Sequence, residues 1–139
     1  MPENTSETLP NHIHNLGLFK LGYRYVRVYA NEQMHGGAFS FNPPDTEHSS
    51  IEVGINYIQS EWSHIVAILW HEALEFVMAE MQVRFSQDSS YANNAAEYLF
   101  VMDHQKFAEC VARAAYFHVQ VIDKLWDAHQ KSLVNEKKP

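Results

Sequence analysis

A chain of 139 residues with 46% apolar and 13% aromatic content can build one compact domain around its own core, and this is not the composition of a disordered segment. Its net charge of −7, with no basic stripe, opposes phosphate-bearing partners and makes nucleic acid and anionic membrane surfaces unexpected ligands. The single cysteine, Cys110, has no intramolecular disulfide partner and no charged-then-apolar leader opens the chain, so a cytoplasmic protein is expected; no apolar run approaches the roughly 20 residues that span a bilayer.

Residues 1–17 are polar, carry Pro2, Pro10 and the cluster Asn-His-Ile-His-Asn, and show no sustained period, which predicts a flexible arm. From Gly22 to Ala30 the β-branched and aromatic residues predict a first strand, with Tyr23, Tyr25 and Tyr29 alternating on a face that packs into the core. After a turn at Met34 to Gly37, Ala38 to Phe41 reads as a short strand, and Pro43 and Pro44 end it because proline donates nothing to a ladder. Ile51, Val53 and Ile55 alternate with Glu52, Gly54 and Asn56, the period of a third strand with one buried face.

Ser60 and Glu61 open a helix in which Trp62, Ile65, Val66, Leu69, Ala73, Phe76 and Val77 recur at helical spacing through about Arg84. Ser86 to Asn94 is a polar loop, and Tyr98 to Met102 suits either a short helix or an extended piece. Asp103 is a good N-cap for a last long helix in which Phe107, Val111, Ala114, Phe117, Val121, Ile122 and Leu125 repeat, before a charged tail. The expected organisation is an arm (1–17), a single α+β domain (18–130) and a tail (131–139). The domain holds a small antiparallel or mixed sheet of about three strands packed against two long helices.

The first helix is interrupted by His71-Glu72-Ala73-Leu74-Glu75. One turn takes 3.6 residues, so His71 and Glu75 project side by side, with Glu72 about a quarter turn away. Imidazole nitrogen and carboxylate oxygen are both zinc donors, and a neighbouring glutamate is placed as a general base, as in the His-Glu-x-x-His motif of zinc hydrolases with its second histidine replaced. The preferred third ligand is His104, at the start of the last helix, where an antiparallel helix pair would bring it beside the first. Asp103 could ligate or orient an imidazole instead, and His64, two turns before His71, is a further candidate. Against this stands an ordinary amphipathic helix with Glu72 and Glu75 in solvent and His71 hydrogen-bonded near the core. The apolar surroundings, Leu69, Trp70, Leu74, Phe76 and Val77, oppose that reading, because unpaired carboxylates there cost free energy.

A strand, a linker, a His-Glu helix, a loop and a second helix opening at Asp103-His104 resemble, over roughly residues 22–125, the small zincin-like metallopeptidases, closest to minimal phage- or prophage-encoded members. The resemblance implies Zn2+ held by His71, Glu75 and His104, with Glu72 activating water on a peptide or protein substrate. It also implies that the sheet edge pairing with extended substrate is Ala38 to Phe41 or Ile51 to Ile55. Glutamate at position 75 departs from the family pattern: it lowers the positive charge of the site and should make a bound water less acidic. A catalytically degenerate zincin-fold interaction module is therefore the alternative, and a helical carboxylate-histidine site for iron or manganese a weaker third. His118 is expected to be a satisfied core histidine and Cys110 a small buried apolar residue, while His12 and His14 lie in the arm and His35 and His48 in loops.

Overall fold

The computed structural model describes residues 9–41, 48–56, 61–86 and 98–136. In chain order its elements are β1 (Ile13–Leu21), β2 (Arg24–Asn31), β3 (Gly37–Ser40), β4 (Ser49–Gly54), α1 (Trp62–Glu80), β5 (Arg84–Ser86), β6 (Tyr98–Phe100) and α2 (His104–Glu136). The α+β class is as expected, but the main sheet has four strands rather than three, in the order β1-β2-β4-β3, and β5 and β6 form a separate two-stranded ribbon. The sheet is mixed: β1 pairs antiparallel with β2, β2 parallel with β4, and β3 antiparallel with β4.

The additional strand is β1, which starts at Ile13, inside the stretch expected to be an arm. Its ladder to β2 is broken by a bulge between Asn15 and Gly17, where Gly17 has φ +125°, and this break hides the period-two signal. A two-residue loop, Gly22-Tyr23, joins Leu21 to Arg24, and Gly22 supplies the positive φ of 64° that such a loop needs. On β2 the smaller aliphatic set, Val26, Val28 and Ala30, faces the helices. Alternation then sends the tyrosines outward, with Tyr23 78% and Tyr25 54% exposed, so the expectation that they pack in the core is corrected.

Both helices lie on the Val26–Val28–Ala30 side, α1 over β3 and β4 and α2 over β1 and β2. Ile51 and Val53 of β4 meet Ile65, Leu69, Phe76 and Val77 of α1 and Phe117, Val121 and Leu125 of α2 in one core. Cys110 is buried in it, as expected. Asp103 caps α2 as its sequence predicts, accepting the Lys106 N–H at 2.8 Å. The cap of α1 is Glu61, without a side-chain cap bond; Ser60 and most of the expected 86–94 loop lie outside the described residues. The helix α2 runs to Glu136, through most of the expected tail, and Tyr98 to Phe100, open in sequence between helix and extended, is a strand.

The helices are antiparallel, held by ring pairs along their length: Trp62 with Trp126 and His129, Trp70 with His118, and finally Cys110 Sγ 3.4 Å from Met81 Sδ. At the Met81 end Glu80, 9% exposed, takes Arg24 Nε at 3.2 Å and Arg113 Nη1 at 3.7 Å, and Arg113 stacks over Tyr23 at 4.2 Å. The knot ties the β1–β2 turn to both helices. At the β1 edge, Gln120 accepts from Lys20 N and donates to Lys20 O, so α2 occupies the backbone groups there.

Two stability predictions follow from these contacts. Replacing Glu80 with alanine leaves Arg24 and Arg113 without their shared counter-ion and should cost about 3 kcal/mol in a urea titration. Burial lowers the pKa of His118 and His129 from the ordinary 6.5, so the fold keeps both neutral. Their contribution is complete above 6.5 and is lost as pH falls towards the folded-state values, because the unfolded chain binds those protons more readily. Urea midpoints should therefore drop between pH 7 and 5, and the double variant His118→Phe/His129→Phe should flatten that slope.

Candidate functional site

The helix α1 leaves β4, an interior strand, and crosses over β3, the edge strand. The approach is closest at Gly37, where an added Cβ would stand 2.7 Å from Ile68 Cγ2, 2.8 Å from Glu72 Cγ and 3.0 Å from Glu72 Oε2. Glycine leaves the space that the Glu72 side chain occupies. As a result Glu72 is 9% exposed, although it belongs to the polar motif of the helix.

One turn of helix brings the rest of the motif together as its spacing predicts. His71 Nε2 and Glu75 Oε2 are 2.6 Å apart, an i,i+4 pair of an imidazole and a carboxylate. His71 is 60% exposed and Glu75 19%, so the pair opens to solvent, and Glu72 Oε2 stands 4.0 Å from the same Nε2. Burial raises the Glu72 pKa above the ordinary 4.5; the His71 charge acts the other way, and the Glu75 carboxylate adds to the rise. The arrangement is a buried carboxyl able to hold or give up a proton, beside an exposed imidazole–carboxylate pair.

The remaining candidates are elsewhere. His118 sits at the level of Trp70, next to His71 on α1, and His104 precedes His118 by 14 residues (118 − 104), about 21 Å of helix at 1.5 Å per residue. The helix pair is antiparallel as expected, but its register carries the start of α2 past the far end of α1. His104 and Asp103 are exposed there, at the opening of α2. His64, about 10 Å from His71 along α1, stacks its ring on His35. Among the described residues no group of three or more His, Cys, Asp or Glu is placed to hold one metal ion.

The donor atoms that do lie together, one imidazole nitrogen and one carboxylate oxygen, are of the kinds that could supply two zinc ligands. One residue outside the motif matters here, Gly37, whose signal, the glycine pair in Met34-His35-Gly36-Gly37, reads in sequence only as a turn.

No protein-family model, no curated protein and no solved structure matches the chain. The zincin resemblance therefore rests on the motif and the order of elements alone.

Glu72→Gln removes the buried charge and keeps the shape. The raised folded-state pKa means that ionised Glu72 is disfavoured in the fold, a cost absent below about pH 4.5 and growing as pH rises through the folded value. Glu72→Gln should thus melt a few degrees above wild type at pH 7.5 and level with it near pH 4, as read by calorimetry.

Proposed function

We propose that the chain is a metal-dependent amide hydrolase acting on peptides or proteins, with His71 and Glu75 as cation ligands and Glu72 as the proton-transfer residue. The observation that carries this reading is the Glu72 carboxyl, buried against the edge strand and 4.0 Å from the imidazole of the His71–Glu75 pair. When bound, zinc would supply a Lewis acid for an amide carbonyl and a water acidic near neutrality. Glu72 takes the proton from the attacking water at its carboxylate and returns it to the departing amine, a cycle that a carboxyl pKa raised by burial favours. The edge position of β3 beside Glu72 supports an extended peptide as substrate, since an edge strand pairs with incoming backbone. Among the described residues no helix is long and apolar enough to cross a membrane, and we read the cytoplasm as the site of action.

The register of α2 favours a second reading, a zincin-like module that kept the fold and the ligand pair for interaction with a partner while lacking a catalytic ligand set. Zinc content by mass spectrometry and cleavage of quenched peptides separate the two. For the hydrolase, wild type carries about one zinc per chain, His71→Ala and Glu75→Ala lose it, and Glu72→Gln keeps it while turnover falls at least about 100-fold. Zinc retained by Glu72→Gln without peptide cleavage by wild type supports the module. A wild-type protein without zinc, whose melting temperature zinc does not raise, overturns the ligand assignment.

A further inference from the structure

We propose that the outer face of α2 binds the same face of a second copy of this chain, giving an antiparallel, isologous dimer that forms independently of any cation at His71 and Glu75. The helix carries two apolar stripes. One, through Ala114, Phe117, Val121 and Leu125, is fully buried in the core. The other runs through Ala108, Ala112, Ala115, Val119, Ile122 and Trp126 at alternating steps of four and three residues, the repeat with which one helix packs along another. Ala108, Ala112, Val119 and Trp126 are exposed, while Ala115 and Ile122 are half-buried. Val119, in the middle of this seam, is 73% exposed, and Trp126 keeps 43% of its surface exposed although it meets Trp62.

The order of sizes along the seam selects the occupant. Its first half is alanine, its second half is valine, isoleucine and tryptophan, and the two halves are placed symmetrically about Phe117. A twofold axis at the level of Phe117 therefore sets Ala115 opposite Val119 of the second copy, Ala112 opposite its Ile122 and Ala108 opposite its Trp126, a small side chain against a large one in every layer. Each of these pairings occurs twice, so one sequence supplies both the projections and the spaces they fill. A parallel pair would set alanine on alanine and tryptophan on tryptophan and would leave gaps. With 33 residues α2 is about 50 Å long and about 10 Å across, so the paired faces cover roughly 500 Å2 on each copy. That area is at the low end of specific interfaces and sets weak, reversible association. At the rim Glu109 comes nearly level with Asp123 of the second copy, where like charges oppose pairing until salt screens them.

The test is sedimentation equilibrium of the full-length chain in the presence of a chelator, from about 10 µM to about 1 mM. A monomer–dimer equilibrium should appear and should tighten as salt is added. Val119→Lys and Ala112→Trp, both at exposed positions, should each weaken it at least about tenfold while circular dichroism and melting temperature match wild type. Asp123→Lys should tighten it. Val119→Ser replaces either variant that loses the native spectrum. For the register, unlabelled Gln105→Cys chains carrying a nitroxide are mixed with 15N-labelled wild type; Cys110 is buried and takes no label. Amide signals around residues 127–131 of the labelled chain should lose intensity. A chain that stays monomeric throughout, a dimer that neither substitution weakens, or intensity loss centred on residue 105 overturns the proposal.

Discussion

The contact on which the candidate site depends is the close approach of α1 to the backbone of Gly37. A helix that starts from an interior strand and crosses the edge strand must set side chains against that edge, and here one of them is a carboxylate. Burying it is unfavourable, and the imidazole of His71 offsets part of that cost only where the helix turns outward. The asymmetry of the motif comes from this geometry: of two glutamates three residues apart, one is enclosed and the other reaches solvent, because only the first faces the glycine.

The rest of the molecule holds that helix in place. Glu80 gathers two arginines from different elements at one end, and tryptophan–histidine stacks hold the register along the length. The same register that stabilises the helix pair carries the beginning of α2 away from the motif, so structural and chemical demands on α2 are separated. At the level of Trp70 it contributes the His118 ring, whereas its polar opening turn lies beyond the end of α1.

Features governed by local periodicity were legible in the sequence. The 3.6-residue repeat of α1 was clear, as were the alternation of β4 and the cap at Asp103. The pairing of His71 with Glu75 followed from helix geometry alone. What could not be read depended on long-range arrangement or on a broken period. The bulge at Gly17 interrupted the pattern of β1 and made a strand look like an arm, and two alternating sets on β2, one aliphatic and one aromatic, each looked fit for the interior. Whether His104 meets His71 depended on how far one helix slides along the other, and the importance of Gly37 appeared only once β3 was placed at the edge.

The insertion of β4 between β2 and β3 divides the sheet into two antiparallel hairpins joined by a parallel seam, in which Val26 pairs with Ser49. Each hairpin pairs residues near in sequence, while the seam joins residues of greater sequence separation. Gly37, His64, His71, Glu72 and Glu75 all fall on the later hairpin and the helix that follows. The candidate site residues therefore fall within one contiguous stretch of chain, and the parallel seam ties that stretch to the amino-terminal hairpin.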